Sequence, residues 1–243
     1  MYRRVKRDLK IDCQHCCVRN ASVFCNMGPS ELQIFNANKV LLSYGPGELI
    51  FKENLAPTGL FVVFTGKVKI FKSTPDGKEK IVRLGQEGAL LGYRSFLSEE
   101  LYSATATAID EVVLCYLPKQ ALISLISHNP DIAFRLMKVL AKDLREAEHS
   151  NANAFQRSAR ERLADALLRL QQIFGVEAPQ QKIKVRLSRE EIASLAGLSR
   201  ETATRVLSEF NKEGFVRIFG KEIAIVDSAK LHRIARSEFP PNV

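Results

Sequence analysis

The sequence predicts an α+β chain in three parts: a β-roll of the jelly-roll kind, one long helix, and a C-terminal winged helix-turn-helix. Three observations carry this. From Leu41 to about Leu117, short β-branched and aromatic runs alternate with Gly, Pro and Asp, the signature of many short strands. After Pro118 the apolar period becomes helical, with Asn129-Pro130-Asp131 supplying the start of a long helix. From Leu187 to Leu207 two short amphipathic segments flank Gly197.

In the first part, Leu60-Phe61-Val62-Val63-Phe64 leads through Thr65-Gly66 into Lys67-Val68-Lys69-Ile70-Phe71, whose alternation is that of a half-buried strand. Thr74-Pro75-Asp76-Gly77-Lys78 then turns the chain into Glu79-Lys80-Ile81-Val82-Arg83-Leu84, because Asp-Gly tolerates the positive φ of a tight hairpin. Further strands are expected from Ala104 to Tyr116. Six or more short strands with no intervening helix predict a barrel or jelly roll.

In the second part, Asn129-Pro130-Asp131 supplies a helix start. Ala133, Met137, Leu140, Leu144, Ala147, Asn151 and Ala154 follow at spacings of 4, 3, 4, 3, 4 and 3, a coiled-coil seam. That seam predicts pairing with a second copy, the polar Asn151 fixing register at some cost in stability. Ile132, Leu136 and Val139 form another face, suited to the chain's own barrel. Ser150-Asn151-Ala152-Asn153 is small and polar and is expected to be the hinge.

In the third part, Ser188 with Glu191 makes a capping box, Ile192 and Leu195 an apolar stripe, Gly197 the turn, and Ser199 the cap of a second helix with Val206 and Leu207 on its buried side. This is helix-turn-helix spacing. The second helix presents Arg200, Glu201, Thr202, Thr204 and Arg205 near its start, where such a helix meets base edges in a major groove. Arginine pairs with guanine O6 and N7, glutamate accepts from cytosine N4, and the hydroxyls of Ser188, Ser199 and the threonines suit phosphate. Gly214 to Ile218 and Glu222 to Val226 form a hairpin wing, with Lys221 at its tip.

The expected boundaries are therefore 1–29 for a Cys-rich N-terminal segment, 30–128 for the β-roll, 129–157 for the pairing helix and hinge, and 158–243 for the winged domain. Composition agrees with a folded, polyanion-binding chain. Of 243 residues, 46% are hydrophobic and 26% charged, which excludes a disordered or largely membrane-embedded protein. The net charge of +9 favours nucleic acid. The surplus sits in residues 1–10 and 158–243, the middle being nearly neutral. The basic start lacks the apolar region of a signal peptide, and no run approaches the roughly 18 apolar residues of a membrane span. A cytoplasmic protein without membrane contact is expected.

Cys13, Cys16, Cys17, Cys25 and Cys115 are odd in number, and four of them crowd near one end, which is no disulfide framework. Soft thiolates suit an iron-sulfur cluster or zinc, and Cys13-x2-Cys16 is a chelating pair. Cys25 and Cys115 are the further candidates, with Cys17 an alternative. Reduced or redox-active thiols without metal fit the same residues.

The chain resembles the cyclic-AMP receptor protein and fumarate-nitrate regulator (CRP/FNR) family of bacterial transcription regulators along nearly its whole length. Ser199-Arg200-Glu201-Thr202-Ala203-Thr204-Arg205 is similar to the family's recognition helix, and Gly59 to Val68 with Asp76-Gly77-Lys78-Glu79 to its cyclic-nucleotide-binding-type β-roll. The resemblance implies a homodimer reading an inverted repeat in double-stranded DNA, with Arg200, Glu201 and Arg205 on bases, a TGTGA-like half-site, and RNA polymerase as a further partner. It also implies a 4Fe-4S cluster, since Val113-Leu114-Cys115-Tyr116-Leu117-Pro118 resembles the segment bearing the fourth ligand of the family's oxygen sensor. Eight residues separate Cys16 from Cys25 where that sensor has five, so the ligand set is open.

The family's cyclic-nucleotide pocket carries Gly-Glu and, about ten residues on, Arg-Ser-Ala. Here Gly92-Tyr93 and Tyr102-Ser103-Ala104 stand in those places, with Arg94 nearby, which argues against a cyclic nucleotide as effector. No phosphate loop, Ser/His/Asp arrangement or paired carboxylate motif is present, so the chain is expected not to be an enzyme. An iron-sulfur or redox catalyst would rest on the cysteines alone. A nucleotide-binding regulatory subunit would leave the winged domain unexplained.

Overall fold

The computed structural model describes residues 12–16, 18, 21–154 and 157–235. The chain divides into two compact units, Met1–Ser73 with Val82–Glu146 and Thr74–Ile81 with Ala147–Val243.

Along the first part run α1 (Pro29–Asn38), β1 (Val40–Tyr44), β2 (Leu49–Phe51), β3 (Gly59–Thr65), β4 (Val68–Ser73), β5 (Glu79–Gly85), β6 (Leu90–Leu91), α2 (Tyr93–Ser98), β7 (Thr105–Ala108), β8 (Val112–Pro118), α3 (Lys119–His128) and α4 (Asp131–Ala154). Two four-stranded sheets result, ordered β1-β8-β3-β6 and β2-β7-β4-β5. The pairings recorded within them are antiparallel. This is the expected β-roll.

Side-chain parity explains why β3 reads as an unbroken apolar run. Phe61 and Val63 enter the core between the sheets with Leu42, Ile50, Phe51, Val68 and Leu114. Leu60 and Val62 face the other way, into a second core with Phe24, Phe35, Leu117, Leu122, Leu125, Ile132 and Leu136. A strand buried on both faces loses its polar alternation. On β8 the same rule sends Val112 and Leu114 to the first core, Cys115 and Leu117 to the second. Cys115 thus faces the N-terminal segment, whose Cys13, Val18, Val23, Phe24 and Met27 belong to that second core.

One local expectation is corrected. A helix, α2, does interrupt the strand run: Gly92 at φ 77° opens it and Glu99 at φ 58° closes it. Six residues are too few for a helical period to show in sequence. The stretch Ser150-Asn151-Ala152-Asn153 is helical and belongs to α4, which runs without a break to Ala154. Within a long hydrogen-bonded helix, the weak propensity of such residues costs only tenths of a kcal/mol each, roughly. The helix start is as expected, with Asn129 Oδ1 accepting from the Asp131 N–H at 3.1 Å.

The C-terminal part holds α5 (Ala159–Phe174), β9 (Val176–Glu177), β10 (Lys182–Ile183), α6 (Arg189–Ala196), α7 (Arg200–Lys212), β11 (Val216–Phe219), β12 (Glu222–Ile225) and α8 (Ser228–Ala235). Leu163, Leu167 and Leu170 of α5 and Val206, Leu207 and Phe210 of α7 are buried. The wing, β11 with β12, closes at Phe219-Gly220-Lys221-Glu222 and continues the sheet β11-β12-β10-β9. The expected winged helix-turn-helix is present.

Candidate nucleic-acid interface and cysteine cluster

The helix-turn-helix is held by its caps. Ser188 Oγ accepts from the Glu191 N–H at 3.1 Å while Glu191 Oε2 accepts from the Ser188 N–H at 2.8 Å, the reciprocal box read from the sequence. Gly197 sits at φ 62°, a conformation that other residues reach only with strain. Its carbonyl accepts from Arg162 Nη1 of α5 at 2.7 Å, a brace that only the tertiary fold supplies. Ser199 Oγ accepts from the Thr202 N–H at 3.1 Å and donates to Thr202 Oγ1 at 3.0 Å. Ser188 and Ser199 therefore act first as caps. Replacing Ser188 with Ala is expected to cost about 1 kcal/mol and lower Tm by about 2–4 °C in thermal denaturation, and an unchanged Tm would contradict the capping role.

Helix α7 separates its faces cleanly. Ala203, Val206, Leu207 and Phe210 are buried, whereas Arg200, Glu201, Thr204, Arg205 and Ser208 are exposed. Thr204 Oγ1 donates to the Arg200 carbonyl at 2.7 Å, and Arg205 Nη1 donates to Glu209 Oε1 at 2.5 Å, which steers the guanidinium along the outer face. Glu209 is itself held from α5 by Arg160 Nη1 at 3.1 Å, and Arg160 also binds Glu213 at 2.7 and 2.8 Å and lies 4.9 Å above the Phe210 ring. Backbone hydrogen bonding at the helix start, then the Ser199 hydroxyl, holds the Glu201 carboxyl below the ordinary range, so it stays ionised. Lys221 is exposed at the wing tip, and Arg189 Nη2 binds the Gly220 carbonyl at 2.9 Å, tying the wing to α6. Arg160, Arg162 and Arg189 escaped sequence reasoning because their partners lie 31 to 53 residues away.

In the first part, Cys13, Cys16 and Cys115 line one apolar cavity with Val18, Phe24, Met27, Phe35, Val62 and Phe64. Cys25 is half-buried and is not among the lining residues; Cys17 lies outside the described residues. Lys39 Nζ donates to Cys13 Sγ at 2.9 Å and also binds Asn36 Oδ1. Burial pushes the Cys115 thiol up to about 12, with Cys13 and Cys16 adding to it, and burial also raises Cys13 against the pull of Lys39. Among the described residues no three His, Cys, Asp or Glu side chains are grouped for a metal ion. Thiol is the donor type a soft metal takes, and two thiols close in sequence, Cys13 and Cys16, share this apolar wall with Cys115 from β8.

The effector-pocket candidates fall into separate groups, Gly92 with Tyr102 and Tyr93 with Arg94. Gly92 leaves room that a Cβ would lose, 3.2 Å from the Tyr102 ring. Tyr102 is buried and stacks on Phe51 at 4.1 Å, while Ser103 is exposed. Tyr93 and Arg94 both bind Asp143 of α4, a partner with no local signal in the sequence. On α4, Ile132 and Leu136 are buried as expected of the barrel face. Along the predicted seam Ala133 and Leu140 are half-buried, Met137, Leu144 and Ala147 are exposed, and Asn151 and Ala154 belong to α4 by backbone alone. Phe134, unread in the sequence, adds a further exposed apolar side chain. No helix among the described residues is long and apolar enough to cross a membrane.

Comparison with known proteins agrees with this layout. The cyclic nucleotide-binding domain matches residues 41–129 and the Crp-like helix-turn-helix domain residues 161–234. The chain is 32% identical over 217 residues to the CRP-like cAMP-activated global transcriptional regulator of Mycobacterium tuberculosis, covering 89% of this chain and 97% of that one. It is 29% identical over 190 residues to the transcriptional activator protein anr of Pseudomonas aeruginosa, covering 78% of each. Among solved structures it is similar to FixK2 from Bradyrhizobium japonicum, with 25% identity, a TM-score of 0.71, and coverage of 81% of this chain and 96% of that one. A β-roll of the cyclic-nucleotide-binding type followed by a Crp-type helix-turn-helix defines a DNA-binding transcription regulator. The chain belongs to the CRP/FNR family.

Proposed function

We propose that this chain acts in the cytoplasm as a homodimeric, sequence-specific regulator whose DNA affinity is switched by an iron-sulfur cluster, and that it is not an enzyme. The observation that carries the DNA-binding part is the exposed, capped start of α7, with Arg200, Glu201, Thr204 and Arg205 on one outer face. Two copies paired along the seam of α4 would present two such helices to an inverted repeat with TGTGA-like half-sites about 34 Å apart, one turn of the duplex. Lys221 would meet phosphate beside the groove. RNA polymerase is the further partner at a promoter.

Cys13, Cys16 and Cys115 would hold the cluster, with Cys25 as the remaining ligand. When bound, a 4Fe-4S cluster supplies a redox- and oxygen-sensitive centre. The chain's own part is mechanical: ligation would fasten the N-terminal segment to β8 in the same core that holds Ile132 and Leu136 of α4. That would bias the position of the pairing helix and the population competent for DNA. The Mycobacterium relative is cAMP-activated by name, but Tyr102 stacked on Phe51 and Tyr93 turned to Asp143 support a different input here.

Anaerobic purification tests the switch. Iron and sulfide in the protein, a broad visible absorption, and loss of both in Cys115→Ser are expected, with weakened operator binding after oxidation. Zinc in place of iron, or a metal-free protein with reversible thiol oxidation, would replace the cluster by those chemistries on the same residues. A colourless, metal-free protein whose operator affinity ignores oxidants would overturn the switch altogether.

A further inference from the structure

Two arginines and a phenol converge on a single oxygen of Asp143. Arg83 Nη1 donates to Asp143 Oδ2 at 2.9 Å, Arg94 Nη2 donates to it at 2.5 Å, and the Tyr93 hydroxyl donates to the same atom. The donors come from β5 and α2; the acceptor comes from α4. Asp143 is only 13% exposed and Arg83 23%.

Arg83 and Tyr93 are held in place without Asp143, while Arg94 reaches it from a half-exposed position. Arg83 also binds the Leu90 carbonyl, donates to the Tyr93 hydroxyl at 2.8 Å, and lies over the Tyr93 ring at 5.3 Å. Tyr93 is fully buried in the second core. Burial by itself would raise the Asp143 carboxyl, but hydrogen bonds from Tyr93 and Arg94 and the charges of both arginines hold it below the ordinary range. Two guanidiniums against one carboxylate leave a surplus positive charge, with Arg83 sheltered and Arg94 half-exposed. Such a convergence of charged N–H and neutral O–H donors is what recognises a small oxyanion.

We propose that Arg83, Tyr93 and Arg94 form a receptor for a small oxyanion of the carboxylate or phosphate class, and that Asp143 is its tethered occupant, fastening α4 to the β-roll. Tethering gives Asp143 a local concentration that free anions do not match, so the intact chain needs no diffusible ligand there. The proposal is independent of the cysteine switch and of DNA binding.

The test uses the full chain with sodium phosphate and sodium acetate as probes, against chloride at equal ionic strength. Asp143→Ala is expected to lower Tm by roughly 5 °C or more, because it leaves the sheltered Arg83 guanidinium without its anion. Phosphate or acetate at about ten times its Kd should then restore about 2–4 °C, leave the wild-type chain unmoved, and lose its effect when Arg83→Gln is added. Asp143→Ser is the second vacated variant, and Asp143→Asn keeps the shape while removing the charge. Folding of a vacated variant only with phosphate or acetate present would also support the proposal. It is overturned if vacated variants keep the wild-type Tm, respond to the probes no more than wild type, respond equally with Arg83→Gln, or fail to fold with and without the anions.

Discussion

Leu144→Glu is expected to leave the chain monomeric and to weaken operator binding by at least about 100-fold, the gain that linking two reading heads ordinarily supplies. Leu144 is 61% exposed, Met137 50% and Phe134 61%, on a helix whose opposite face is fully buried by Ile132 and Leu136. Three large exposed apolar side chains on one helix face leave apolar surface that a partner would cover. A second copy suits the spacing, since the apolar positions recur every three and four residues over three heptads. A glutamate on this seam would face its twin, and two like charges taken from water into one interface cost several kcal/mol, roughly. Light scattering and a titration of the inverted repeat measure both effects. A Leu144→Glu protein that remains dimeric would show that the copies pair elsewhere.

Arg205→Ala is expected to lose about 1–3 kcal/mol of discrimination, about 5- to 150-fold, against single-base changes in the operator, with a much smaller change on random DNA. Arg205 is 64% exposed and is aimed by Glu209 at 2.5 Å, while Glu209 is fixed in turn by Arg160 at 3.1 Å. An arginine oriented in this way has less freedom to lose on meeting a guanine. Arg205→Lys should fail to restore the discrimination, because an ammonium lacks the planar fork. A loss of affinity that is equal on specific and random sequences would mark Arg205 as a phosphate contact instead.

The winged domain was legible because its signals are local. A capping box spans four residues, a turn glycine stands alone, and the four buried positions of α7 lie within eight residues. The β-roll was legible from turn chemistry, and the apolar run of β3 became clear once both of its faces were seen to be buried. What stayed hidden is non-local. Nothing near Asp143 in sequence announces Arg83 or Arg94, and nothing near Gly197 announces Arg162. The cysteines fall between these cases: Cys13 and Cys16 form a visible pair, but only the parity of β8 brings Cys115 to the same wall. The helical state of Ser150 to Asn153 was not legible because residue propensity is weak beside the cooperativity of a long helix.

The most direct measurement is a titration of the intact protein with a labelled inverted repeat of TGTGA-like half-sites and with a scrambled duplex of the same length, each over a series of salt concentrations. The account predicts one dimer per duplex, a preference of about 1,000-fold or more for the inverted repeat, and an affinity that falls linearly with salt on logarithmic axes. A monomer that holds both duplexes with equal strength at every salt concentration would contradict it.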